Sequence, residues 1–165
     1  MHIILIAAVG KNLELGYKNS LIWYLPEDLK YFRKVTTNHT IVMGKNTWLS
    51  LPHPLPNRRH VVISSTLQPN PEYELYHSPE EFLHNFQDNN NPVYIIGGGA
   101  TYKAFLPYAS TLLLTEVDAS FPQADTYFPD FQRQDFTRRI IATTPAKEGI
   151  PSYSFVEYTS TCANN

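Results

Sequence analysis

Glycines that separate an apolar run from a helix-forming segment are places where a backbone can hold an anion, and the chain has two. The run Ile95-Ile96-Gly97-Gly98-Gly99-Ala100-Thr101-Tyr102 carries three glycines at such a junction. Backbone N–H groups and the positive end of a helix dipole can face a phosphate there. The motif is half of a dinucleotide fingerprint, Gly-x-Gly with Tyr102 where the third glycine is expected, and no Gly-Lys-Ser/Thr follows as in a P-loop. A tight turn at positive φ accounts for one glycine more readily than for three. The second junction, Met43-Gly44-Lys45-Asn46-Thr47, adds an ammonium and a hydroxyl. A pyrophosphate is best held between two helix N-termini at the carboxyl ends of parallel strands, so the pair says more than either alone. Ser64-Ser65 end a third apolar run on the same rim, where Lys45, Ser64, Ser65 and His77 can together meet a further phosphate.

The candidate acid lies in Leu21-Ile22-Trp23-Tyr24-Leu25-Pro26-Glu27-Asp28-Leu29-Lys30-Tyr31-Phe32. A Trp in a loop is followed by a Pro suited to the first helical position, and Asp28 sits beside the stripe Leu29, Phe32, Val35. A carboxylate at the edge of a buried face is costly unless something pairs with it. Glu27 and Asp28 can be first-turn acids that complement the helix dipole, or Asp28 can be a functional group; this stretch alone favours the first. Other candidates fall away. The six His form no i, i+4 pair, so no metal site is expected. Ser64-Ser65 lack the Gly-x-Ser-x-Gly context of a nucleophile. Arg58 and Arg59 follow a proline turn and read as solvated, and Asp118 closes a late strand.

Periodicity and breakers supply the frame for these residues. Apolar runs predict strands over 3–9, 40–43, 60–63, 73–76, 93–96, 111–117, 136–144 and 153–159, the last two paired antiparallel. Helices are expected over 26–37, 45–49 and 100–106, the last stopped by Pro107, and from Pro79 with Ser78 as N-cap and Glu81 closing a capping box. Gly10–Ser20, 87–91 and Ser120–Gln134 read as loops, and Pro52–Asn57 is irregular because three prolines remove donors. Strand–helix alternation predicts one three-layer α/β domain over 1–165. Its mostly parallel eight-stranded sheet would carry an antiparallel C-terminal strand and helices on both faces.

The composition excludes several classes. At 165 residues and net charge −2, with both signs interspersed, no electrostatic case exists for nucleic acid or an anionic membrane. The single Cys162 excludes an intramolecular disulfide and a Cys metal cluster. Ile3–Val9 is a short apolar run with no basic residue before it, a strand rather than a signal peptide. No apolar run reaches membrane-spanning length, and a reducing cytoplasmic setting is expected.

Taken in order, a set of segments resembles the dihydrofolate reductases, close to bacterial chromosomal examples. They are Leu5-Ile6-Ala7-Ala8, Leu15-Gly16, Trp23–Leu29, Val42–Trp48, Pro54-Leu55-Pro56-Asn57-Arg58, Ile95–Tyr102, Leu114-Thr115 and Asp125–Pro129. The resemblance spans the chain to about Tyr158. It implies NADPH-dependent reduction of 7,8-dihydrofolate to tetrahydrofolate, with hydride transfer to pterin C6 and N5 protonated through water. The protein would be a monomer that also binds antifolates. Residues 38–90 would form an adenosine-binding subdomain and the remainder a loop and substrate subdomain. Asp28 would be the sole acid of the pteridine pocket, supported by Thr115, with Trp23 holding a water and Leu21 and Tyr102 completing the catalytic group. Ile6, Ala8, Leu29, Phe32, Leu55 and Ile96 would be dry walls, with Ser50 beside them, and Arg58 would clamp the glutamate α-carboxylate. The cofactor would meet Ala8, Leu15, Gly16 and Asn19, the second junction from Gly44 to Thr47 (with Lys45 and Asn46), and Ser64, Ser65 and His77. Gly97, Gly98, Gly99, Ala100, Thr101, Tyr102 and Thr126 would complete its site, Gly97–Gly98 being joined by a cis peptide. A mobile lid would span Leu15–Leu25. With Arg58, Thr115 and both junctions around it, Asp28 is now read as functional.

Three positions depart from the family pattern. Ile22 stands where Pro usually precedes the Trp, freeing φ in the lid. Ala100 replaces a basic residue that often helps hold the cofactor phosphates, leaving NADPH preference to Lys45, Ser64, Ser65 and His77. Phe121-Pro122-Gln123-Ala124 replaces a shorter Gly-containing segment before Asp125. The competing readings are a reductase of a related pterin-like substrate, which Asp28, Trp23 and Arg58 together oppose, and a dinucleotide-binding protein without turnover.

Overall fold

The computed structural model describes residues 1–88 and 91–161; Cys162 and the Asn89-Asn90 part of the expected loop lie outside the described residues. In chain order the elements begin β1 (Ile3–Val9), β2 (Glu14–Tyr17), β3 (Ser20–Leu21), α1 (Pro26–Thr36), β4 (Thr40–Gly44), α2 (Lys45–Ser50) and β5 (Arg59–Ile63). They continue β6 (Glu74–Tyr76), α3 (Pro79–Asn85), β7 (Val93–Gly97), α4 (Gly99–Phe105), β8 (Thr111–Val117), β9 (Thr126–Tyr127), β10 (Phe136–Thr144) and β11 (Tyr153–Ser160).

Eight strands form one sheet in the order β10-β11-β8-β1-β7-β4-β5-β6. Strand β11 alone runs against the others, pairing antiparallel with both β8 and β10. Successive side chains of β1 go to opposite faces, as the strand period requires. Ile3 and Leu5 join the core formed with Phe82 of α3, Phe86 just after it, and Tyr102 and Phe105 of α4. Ile4 and Ile6 join the opposite core, against which Tyr31, Phe32 and Val35 of α1 and Trp48 of α2 pack. The expected three-layer α/β architecture is therefore present, and the apolar strands are continuous because both faces are covered. At about 1.5–3 kcal/mol for each fully buried large apolar side chain, these two layers are the main stabilising term.

The sheet ends differ. Strand β6 is three residues long, whereas β10 is long and exposed, with its register on β11 shifting between Ile140 and Ala142. Arg138 pairs with Glu116 at 2.5 Å and Arg139 with Glu157 at 3.2 Å along that edge.

A second sheet, β3-β2-β9, corrects the reading of 10–20 and 120–134 as loops. β2 and β3 form a hairpin whose turn residues Lys18 and Asn19 have φ of 50° and 61°, the primed geometry that matches strand twist. The segments are too short and polar to show period-2 alternation, and Lys-Asn is a weaker turn signal than Asn-Gly. They are held from outside. Buried Glu14 accepts hydrogen bonds from the Asn12 and Phe121 amides at 2.7 and 2.6 Å. Burial alone pushes its pKa up, but those amides outweigh burial and hold it below the ordinary carboxylate value. The Lys18 amide donates to Asp125 at 2.9 Å.

Two helix ends also differ from expectation. Helix α4 stops at Phe105 and continues as a 3₁₀ turn, Leu106–Tyr108, that accommodates Pro107. Ser78 Oγ accepts from the Glu81 amide at 3.0 Å, but the Glu81 carboxylate accepts from the His77 amide at 2.6 Å, one residue before the cap. No helix among the described residues is long and apolar enough to cross a membrane, and none of their His, Cys, Asp and Glu side chains cluster as a metal site.

Candidate functional site

Strands β4 and β7 are neighbours in the sheet, so the two glycine junctions that follow them lie side by side. Between them opens a cleft of about 770 Å³. Helix α2 starts after Gly44 and α4 after Gly98, neither N-cap offers a side-chain acceptor, and neither first turn contains an acid. Their first N–H groups therefore lack intrahelical partners and are free to meet an anion. Helix α3 differs, because Ser78 caps it. The three glycines turn out to serve separate needs. Gly97 has φ of 131° and is joined to Gly98 by a cis peptide. A Cβ on Gly99 would lie 3.1 Å from the Tyr127 carbonyl and 3.2 Å from Thr126, so this glycine lets β9 approach. The side of Gly98 that a Cβ would occupy is open toward Thr47.

Of the expected cofactor residues, Leu15, Gly16 and Asn19 line the cleft from the β2–β3 hairpin, with Leu21 beside them. Gly44, Lys45, Asn46, Thr47 and Ser50 line its second wall, and Gly97 to Tyr102 with Thr126 its third. Ala8 lies elsewhere, packed with Trp23 and Leu25 against Tyr153 and Val117. At the far end are Ser64, Ser65 and His77. Ser64 differs from expectation: it is buried, and its hydroxyl accepts from the Thr66 and Leu67 amides at 3.1 and 3.0 Å. The hydroxyl beside Lys45 is instead that of Thr66, which accepts from Nζ at 3.2 Å and which sequence reading missed. Its only signal was the hydroxyl run Ser64-Ser65-Thr66. His77 Nδ1 lies 3.3 Å from Glu81, so a carboxylate faces this end as well.

Asp28 sits in the first turn of α1, half-buried, and accepts a hydrogen bond from Thr115 Oγ1 of β8 at 2.5 Å. Burial raises its pKa above the ordinary aspartate value, and the Thr115 hydroxyl partly offsets the rise. Its charge reaches Tyr102, whose hydroxyl donates to the Ile6 carbonyl at 2.7 Å and is kept protonated first by burial and then by Asp28. Tyr102 also lines the cleft. Phe32, Leu55 and Ile96 pack on the α1–α2 side of the sheet with Ile6, and Ile96 also faces the cleft. Leu29 is 41 % exposed rather than part of a buried wall. Arg58 donates from Nε to the Pro56 carbonyl at 3.0 Å and from Nη1 to Thr36 at 3.1 Å. Burial and the nearby Arg33 charge lower its pKa. The guanidinium is thus braced, with Nη2 the part not engaged in those two bonds.

Fold and site together define an α/β protein with a cleft opening at two uncapped helix starts, and a half-buried Asp28 paired with Thr115. The chain belongs to the dihydrofolate reductase family, whose model matches residues 2–160. A dihydrofolate reductase of Buchnera aphidicola subsp. Acyrthosiphon pisum is 38 % identical over 156 residues, covering 94 % of this chain and 96 % of the relative. That of Bacillus subtilis is 34 % identical over 134 residues, covering 79 % and 77 %. Among solved structures, the chain is similar to dihydrofolate reductase from Enterococcus faecalis complexed with NADP(H) and RAB-propyl. The TM-score is 0.83 at 27 % identity, covering 97 % of this chain and 96 % of that one.

Proposed function

We propose that the chain catalyses NADPH-dependent reduction of 7,8-dihydrofolate to tetrahydrofolate. The reading is supported by the hydrogen-bonded Asp28–Thr115 pair together with a cleft that opens at two uncapped helix starts. The donor set fits the cofactor: first-turn N–H groups of α2 and α4 suit a pyrophosphate, and Lys45 with Thr66 and Ser65 suits a further phosphate. When bound, NADPH supplies the hydride that reaches pterin C6.

The protein's own residues orient and polarise. Asp28 accepts hydrogen bonds from the pterin 2-amino group and N3, and Thr115 fixes its oxygen. The carboxylate favours positive charge developing over N5–C6 in a site where charges are weakly screened. Water delivers the proton to N5, Trp23 holding it in place. Leu21 from β3 and Tyr102 from α4 border the reacting centre; Ile6, Ala8, Phe32, Leu55 and Ile96 exclude solvent. Arg58 meets the glutamate α-carboxylate through its free edge, a task suited to a rigid guanidinium. On this reading 38–90 carries the adenosine side, antifolates compete at Asp28, and the chain works as a cytoplasmic monomer without nucleic-acid partners.

Following NADPH consumption with dihydrofolate tests the reading directly. Turnover with dihydrofolate is the expected result. Binding of both molecules without turnover, or turnover only of a different pterin-like substrate, would overturn it.

A further inference from the structure

His60 does more than fill a core position. It lies on β5, is 7 % exposed, and places its ring against the edge of Trp48 at 5.9 Å between centroids. Both ring nitrogens point back into the loop that precedes the strand. The Leu55 amide donates to Nε2 at 3.0 Å, and Nδ1 lies 3.0 Å from the Arg58 carbonyl. An N–H at one end and a carbonyl at the other define the ring state: Nε2 accepts and Nδ1 carries the proton. The imidazole is therefore neutral, and burial together with the Arg58 charge keeps its pKa below the usual histidine value.

The loop gives this one ring unusual leverage. Pro54 and Pro56 have no N–H, so Leu55 supplies the only amide donor in the Pro54-Leu55-Pro56 segment, and His60 accepts from it. The other tethers act elsewhere: the Asn57 carbonyl accepts from the Asn38 amide at 2.7 Å, and Arg58 Nη1 donates to Thr36. His60 thus holds the backbone at Leu55, a dry wall of the substrate pocket on the reading above, and at Arg58, its clamp for the glutamate carboxylate.

We propose that His60 is a positioning residue for the substrate tail, holding Leu55 and Arg58 in the register that receives the aryl-glutamate of dihydrofolate. This rests on the reading given under Proposed function. The ring touches neither the reacting atoms nor the glycine junctions, so its effect falls on tail binding and not on the hydride step.

The test compares dihydrofolate with 6-methyl-7,8-dihydropterin, which keeps the reacting ring and lacks the tail, using wild type, His60→Ala and His60→Asn. In His60→Ala the KM for dihydrofolate rises about tenfold, the effect of losing two loop hydrogen bonds, while kcat stays within about twofold. Kinetic constants for the tail-less pterin are unchanged, which also reports an intact fold. His60→Asn, whose amide can restore one of the two bonds, falls between Ala and wild type. Equal losses on both substrates in both variants would make His60 a general structural residue and overturn the proposal, as would an unchanged KM for dihydrofolate. A wild type that turns over neither substrate would instead overturn the functional reading itself.

Discussion

Thr115 donates its hydroxyl to Asp28 at 2.5 Å, joining β8 in the middle of the sheet to the first turn of α1. The bond runs from the central sheet to a helix whose N-cap, Leu25, offers no side-chain acceptor. A carboxylate held this way keeps one orientation at little reorganisation cost, which is what electrostatic stabilisation of a developing charge requires.

Replacing Asp28 with Asn should remove that stabilisation and lower kcat/KM for dihydrofolate by roughly 10²–10³-fold at neutral pH. Activity should partly recover in acid, where substrate arrives already protonated. The check is kcat/KM against pH for both proteins; a variant profile as flat as that of an uninvolved residue would remove Asp28 from the mechanism.

The same substitution should stabilise the fold. Burial raises the Asp28 pKa in the native chain, so the native state binds this proton more readily than the unfolded state. Its contribution to stability is full below the unfolded pKa and is lost as pH rises through the folded one. Asp28→Asn, whose amide oxygen can still accept from Thr115, should therefore unfold at a higher temperature than wild type at neutral pH. The advantage should vanish in acid. Thermal unfolding across pH measures this, and a lower Tm for the variant at neutral pH would contradict it.

Glu14 has the opposite sign. Its folded pKa is depressed by the Phe121 and Asn12 amides, so the stability it adds is present above the unfolded carboxylate pKa and is lost as pH falls through the folded one. In Glu14→Gln one amide would face an NH₂ group instead of an acceptor. We expect a loss of about 1–3 kcal/mol in denaturant unfolding, the cost of a buried unpaired donor.

Lys45→Ala should narrow the preference for NADPH over NADH about tenfold, the value of one charge-assisted hydrogen bond. Because Lys45 and Thr66 are exposed, the effect should shrink at high salt. The ratio of kcat/KM for the two cofactors decides it, and equal use of both by wild type would show that the cleft does not discriminate.

The eight-stranded sheet was legible because its strands are apolar runs between breakers, and helix burial leaves them no alternation to confuse the period. The hairpin at Lys18-Asn19 was not, because nothing local distinguishes Glu14–Leu21 from a loop; the Phe121 amide and the Asp125 carboxylate, both far away in the sequence, hold it. At the site, the junction glycines were visible, but their reasons were not. Gly99 is required by β9, 27 residues further on in the sequence, and such a contact leaves no trace at short range. Ser64 was chosen over Thr66 for the same reason, since only the folded turn reveals which hydroxyl faces inward.

The two ends of the large sheet carry a consequence for how the protein survives at high concentration. An exposed strand is a template on which another chain can add, and Ile140 and Ile141, 52 % and 42 % exposed, would make β10 a sticky one. The register shift beside them kinks the rim, and Arg138 and Arg139 set charge along it. At the opposite rim β6 is too short to recruit a neighbour. Both rims of the sheet thus carry features that oppose self-templating, without a residue taken from the cleft.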